Sequence, residues 1–261
     1  MEGCNLGSWS DFREKIANIR EKYPERQILF RGQSDSSWEL ETTLERAANY
    51  SFSDESYLHL AGRYREEIES LTGKHWELTP LQDTKAERLP LLDVTVPGYP
   101  YLVYLRHHDF PSPLLDWTES PYIAAYFAYC GEPNKKSSPE FVSVFVYVEK
   151  PCNIKVSGPC NISVHGPAVV ADARHFAQKA WYTVARKGMG TSAQFCPHED
   201  VFRNKPNGDQ DVLIKLNLPL GDRKRALREL EECNINHFTL FQSEDSLIRT
   251  MSMREFVIDS H

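Results

Sequence analysis

The hydrophobic positions of this chain fall into short runs with two periods. Phe12, Ile16 and Ile19 recur at helical spacing within residues 11–22, with Ser10 as the expected cap, so an amphipathic helix precedes the apolar run at 28–30. Pro24 ends it. Tyr57, Leu60, Tyr64, Ile68 and Leu71 keep the same period with charge between them, which predicts one helix over 54–71 after Ser53. The period is lost over 72–98, where prolines and charges predict a long loop or a variable insertion. Residues 101–108 form the next short apolar helix. Ser120 and Pro121 then supply a cap and a first-turn proline for a helix over 121–130 that is apolar nearly all round, and so should be buried.

Strand signals concentrate in the second half. Residues 141–148 are rich in valine and aromatics and read as a central strand. Residues 181–184 read as extended and 212–218 as an alternating strand, with helices over 171–179 and 222–232. Thr239, Leu240 and Phe241, a cap at Ser243 and an extended 256–258 close the pattern. No repeat is visible, and strands do not alternate one for one with long helices. The expected fold is therefore α+β: a single domain over 1–261 with a mixed or antiparallel sheet flanked by helices.

Composition narrows the function classes. With 261 residues, 41% of them hydrophobic, the chain can bury a substantial core, and a formal charge of −7 gives no overall footprint for nucleic acid. Arg223, Lys224, Arg225 and Arg228 form one local basic stretch, which reads as a solvated helix face. Six scattered cysteines predict reduced thiols in a cytoplasmic protein, and no apolar stretch is long enough to span a membrane. Cys196, His198 and Glu199 offer metal ligands, but no second pair lies at a standard interval, so no metal is predicted.

Two stretches carry the candidate chemistry. In the first, an apolar run opens into Arg31, Gly32 and Gln33. A guanidinium there suits a diphosphate or a carboxylate, or else an ion pair with Asp116, and Gly32 permits either a positive backbone angle or the close approach of a ligand. In the second, His107, His108 and Asp109 lead through Pro111 and Pro113 to Asp116, Trp117 and Thr118, just before the Ser120-Pro121 helix start. Backbone donors at that start could receive an anion, with Trp117 and Tyr122 stacking on a ring; the alternative is that Asp116 satisfies local amides and Trp117 is core. His108 is either a site residue or a helix-end histidine. Gln178 bonds either a substrate amide or a strand edge. Glu244 and Asp245 stand in a helical first turn, where acids are favoured in any case.

Phe30-Arg31-Gly32-Gln33 with Trp38-Glu39-Leu40, and 106–118 leading into Pro121 and Ala124-Ala125-Tyr126-Phe127-Ala128, resemble the FRG-domain family. Arg174-His175-Phe176-Ala177-Gln178 and Leu240-Phe241 occupy the places of its later motifs. A more distant likeness runs to the ADP-ribosyltransferase fold, in which an early basic residue holds nicotinamide dinucleotide (NAD) and a late acid completes the site. That likeness implies an NAD-utilising transferase or NAD glycohydrolase. Its site would use Arg31, His108, Asp116 and Glu244 or Asp245 catalytically, with Arg31, Gly32, Gln33, Trp117, Thr118, Tyr122 and Gln178 holding the dinucleotide. Here Asp116 stands where a small hydroxyl residue is usual, and the late acids Glu244 and Asp245 do not form a Glu-x-Glu. Some relatives of the FRG-domain family occur in microbial defence or toxin systems, so a non-catalytic ligand-sensing or protein-interaction module is the second expectation, and a nucleic-acid-processing enzyme the third. The expected partners are a nucleotide-like small molecule or a protein, with nucleic acid less favoured and no membrane.

Overall fold

The computed structural model describes residues 2–48, 52–78, 96, 98–131, 139–150, 160–167, 173–188, 193–203 and 211–259. In chain order its elements begin with β1 (Glu2–Asn5), α1 (Trp9–Lys22), β2 (Ile28–Gln33), α2 (Thr43–Ala47), α3 (Asp54–Gly62), α4 (Arg65–Thr72) and α5 (Tyr99–His107). They continue with β3 (Leu115–Thr118), α6 (Pro121–Cys130), β4 (Phe141–Val148), β5 (Cys160–His165), α7 (Ala173–Ala177), β6 (Ala180–Lys187) and β7 (Gln194–Phe195). They end with α8 (His198–Arg203), β8 (Val212–Pro219), α9 (Arg223–Glu232), α10 (His237–Phe241) and α11 (Glu244–Met253). Among the described residues no helix is long and apolar enough to cross a membrane.

The strands form one eight-stranded mixed sheet in the order β1-β8-β4-β2-β3-β6-β5, with β7 pairing β6. Among the described residues only β1 against β8 is parallel; the other pairings are antiparallel. The mixed α+β architecture is thus as expected. β4 is buried along nearly its whole length because helices cover one side of it and a second apolar layer covers the other. On the first side Phe30, Val144, Val146, Leu216 and Leu218 pack with α1, α6 and α9, and Ala180, Tyr182 and Val184 pack with α3 and α5. On the opposite side Leu29, Leu115, Trp117, Phe145 and Tyr147 lie with Leu40 and with Val201 and Phe202 of α8.

Several expectations need correction. α1 starts earlier, capped by Ser8 and not Ser10: Asp11 accepts the Ser8 N–H at 2.9 Å, and Trp9 is buried with its backbone N–H on Asp222 at 2.6 Å. The single helix over 54–71 is two, because after Gly62 the amides of Arg63 and Tyr64 turn back three residues to Leu60 and Ala61. Residues 256–258 are not extended but belong to a π-helical turn, Arg254–Ile258, with the Ile258 carbonyl taken by Arg228 at 2.7 Å and its side chain in the core. Asp116, Trp117 and Thr118, which carried no strand signal of their own, lie in strand β3, which four pairs hold to β6. The segment 72–98 lies outside the described residues over 79–95 and at 97, as does Cys152; the other five cysteines are free thiols.

Candidate functional site

The two motifs meet at the middle of the sheet. β2 pairs with β4 over six residues, but with β3 at one pair only, Phe30 opposite Thr118. Beyond that pair Arg31 fills the junction: its Nη1 donates to the Asp116 carbonyl at 2.9 Å and lies 3.7 Å from the Asp116 carboxylate. Arg106 of α5 donates from Nη2 to the same carboxylate oxygen at 2.5 Å. All three side chains keep some contact with solvent, 17% for Arg31, 18% for Arg106 and 34% for Asp116.

One carboxylate therefore faces two guanidinium groups, and it is shared unequally. Asp116 raises the affinity of Arg106 for its proton, more than burial lowers it. Arg31 is pushed the other way, down to about 10: burial dominates, Asp116 offsets part of it, and the charges of Arg106 and Arg46 add to the cost. Arg31 remains protonated at neutral pH, so the cluster carries a surplus positive charge centred on it. The Nε atoms of Arg31 and Arg106 are buried and have no hydrogen-bond partner.

A polar network continues from Asp116 along α5. Tyr182, opposite Asp116 on β6, places its hydroxyl 2.8 Å from His107 Nε2 and 3.3 Å from His175 Nδ1, and His175 Nε2 donates to the Pro167 carbonyl at 2.7 Å. Arg174 donates to the His107 carbonyl. Burial and the nearby Asp116 charge raise the Tyr182 phenol, which stays neutral.

The remaining predicted site residues have structural work. Gly32 has an ordinary backbone angle, and the close approach it allows is to a helix: an added Cβ would lie 1.9 Å from the Ala124 carbonyl oxygen and 2.6 Å from the Ala128 amide nitrogen of α6. Gln33 is buried and donates to the Glu39 carbonyl at 3.0 Å. Trp117 is core, its indole N–H donating to Thr183 at 2.7 Å, so it offers no ring face to a ligand. Thr118 donates to the Gln178 carbonyl at 2.7 Å, and the Gln178 side chain donates to the Leu240 carbonyl at 3.0 Å, tying β3 to α10 through the turn after α7. The helix start at Ser120 is already capped, its hydroxyl accepting the Ile123 N–H. Tyr122 is exposed and meets Phe12 of α1 edge-on. His108 caps the end of α5 with its ring 4.3 Å from that of Tyr104.

Glu244 and Asp245 are exposed in the first turn of α11, which packs on α10 and the terminal π-turn. No hydrogen bond or ion pair joins them to the arginine cluster among the described residues. Arg106 is the member that sequence reasoning missed. It stands four residues after the buried Leu102, so a charge on the apolar side of α5 was the available signal. Among the described residues no group of three or more metal-ligating side chains occurs.

No curated protein and no solved structure matches the chain. A family model for the FRG domain matches residues 26–137, which run from the approach to β2 past the end of α6. That span contains Arg31, Arg106, Asp116 and the Gly32 contact with α6, whereas Gln178, Glu244 and Asp245 lie outside it. Residues 26–137 of the chain carry an FRG domain.

Proposed function

We propose that this FRG protein recognises a diphosphate-bearing nucleotide, with NAD as the leading candidate, through Arg31 supported by Arg106 and Asp116. The observation that carries this reading is the unequal sharing of Asp116: it lies 2.5 Å from Arg106 and 3.7 Å from Arg31, which leaves Arg31 partly exposed and under-compensated. A guanidinium in that condition gains most from an oxyanion, because the anion supplies both charge and acceptors.

Recognition is favoured over turnover by the placement of the acids. An ADP-ribosyl transfer or NAD hydrolysis needs a carboxylate facing the positive, oxocarbenium-like ribose as nicotinamide leaves. Glu244 and Asp245 stand on α11 without a contact to the cluster, so if the protein turns NAD over, Asp116 is the acid in reach. Titration of the purified protein with NAD and with ADP-ribose, alongside an assay for released nicotinamide, tests both steps. Saturable binding of both ligands that is lost in Arg31→Gln, with no nicotinamide formed, is the expected outcome. Binding unchanged in Arg31→Gln, or no binding of either nucleotide, would overturn the reading.

A further inference from the structure

Behind the cluster lies a second group of polar atoms that anion recognition does not use. Arg31 and Gln33 alternate with Phe30 and Gly32 along β2 and so share the side of Leu29, which packs with Trp117, Phe145 and Tyr147. His198, the first residue of α8, reaches that side: its Nε2 is 2.8 Å from Thr183 Oγ1, the same hydroxyl that accepts the Trp117 N–H. His198 is 1% exposed and Gln33 8%. Arg31 Nε, Gln33 Oε1 and His198 Nδ1 are all buried without a hydrogen-bond partner. Each such atom left alone is costly, and the Arg31 charge acts on the His198 ring.

The tautomer of His198 decides what they want. Burial and the nearby Arg31 charge push His198 down to about 3, so its ring is neutral at pH 7. Beside a fixed cation the lower-energy arrangement turns the ring's lone pair, and not its N–H, toward the positive charge. Nε2 then carries the proton and donates to Thr183, leaving Nδ1 as an acceptor. Arg31, His198 and Gln33 then offer one donor, Arg31 Nε–H, and two acceptors, His198 Nδ1 and Gln33 Oε1. A single water molecule, accepting once and donating twice, complements that set.

We infer that His198 and Gln33 are positioning residues for Arg31, acting through one buried water that accepts the Arg31 Nε–H and donates to His198 Nδ1 and Gln33 Oε1. Fixing Nε fixes the plane of the guanidinium, and with it the direction in which the two Nη groups meet Asp116 and an incoming oxyanion. The effect on ligand affinity rests on the anion-binding reading; the water bridge does not.

Two substitutions separate the ring nitrogens. His198→Gln keeps a polar atom near the place of Nε2, and His198→Asn keeps one near that of Nδ1. With inorganic pyrophosphate as the probe, His198→Gln is expected to weaken binding about tenfold, the cost of one hydrogen bond to a charged group. His198→Asn should stay within about threefold of the unmodified protein. Arginine ¹⁵N NMR gives a readout that a merely structural role would not move: the Arg31 Nε–H should exchange slowly with solvent in the unmodified protein and in His198→Asn, and faster in His198→Gln. Gln33→Met supplies a second variant should His198→Gln fail to fold, and it should also speed that exchange. Equal exchange in every folded variant, or imidazole ¹⁵N shifts placing the His198 proton on Nδ1, would overturn the inference. Failure of the unmodified protein to bind pyrophosphate would instead count against the anion reading, and the exchange comparison would still decide the role of His198.

Discussion

The acids at Asp116 and at Glu244 with Asp245 look equally suited to a site in the sequence, yet they occupy opposite environments. Asp116 sits on a central strand, its carboxylate and its carbonyl both engaged by arginines from other elements. Glu244 and Asp245 sit exposed in the first turn of a helix, where the end dipole accounts for them without any partner. A carboxylate's chemistry is set by what surrounds it, and only the first of these regions gathers charge from distant parts of the chain.

The largest break in that comparison should come from Gly32. Any side chain there meets the backbone of α6, which cannot give way as a flexible side chain can. Gly32→Val should cost about 3 kcal/mol or more in chemical denaturation, the upper range for overpacking. A cost under about 1 kcal/mol would show that α6 can slide off β2, and that the approach of helix to strand does not fix the cluster.

Asp116→Asn comes next. It leaves Arg31 and Arg106 facing each other without a counter-charge, and after allowance for the third of the side chain that stays exposed, the loss should be about 2 kcal/mol. Asp116→Asn as stable as the parent protein would remove the electrostatic basis of the comparison.

Acid should separate the two regions as well. His198 near the cluster is held down to about 3 and His237 on α10 to about 4, both by burial first, with an arginine charge adding to it. The unfolded chain therefore binds protons below pH 6.5 that the folded chain refuses, so stability is highest above that pH and falls as the solution is acidified. For His198 the loss between pH 6.5 and 5 should be about 2 kcal/mol, and His198→Asn should flatten the stability curve over that window. His237→Asn should flatten it to a similar extent over that window, and the two variants should part only near and below pH 4, where His237 takes up its proton first. A curve that rises with acid would contradict the assignment.

The smallest effect is expected at α11. Glu244→Gln and Asp245→Asn should each change stability by no more than about 0.5 kcal/mol, and should leave NAD and pyrophosphate affinity unchanged. A large loss of affinity would move the site toward α11.

What the sequence disclosed follows from the range over which each signal acts. The apolar period of α6, the valine-rich β4 and the Ser243 cap are local, and each matches the structure. β1 has four residues and no apolar alternation, because it is made by pairing with β8 more than two hundred positions away. The meeting of Arg31 with Asp116 was legible as an ion-pair alternative. The partnership with Arg106 was not, since it depends on how α5 lies over β3. Trp117, Thr118 and Gln178 drew attention as ligand groups, and their polar atoms turn out to bind the fold's own strands and turns. His198 was visible only as an incomplete metal ligand, because its role depends on an arginine that lies far from it in the chain.

A crystal structure of the protein with ADP-ribose bound tests the central claim most directly. The diphosphate should lie within hydrogen-bonding distance of the Arg31 guanidinium, with Arg106 still on Asp116. A diphosphate seated at the start of α11, or an Arg31 that touches no part of the ligand, would contradict it.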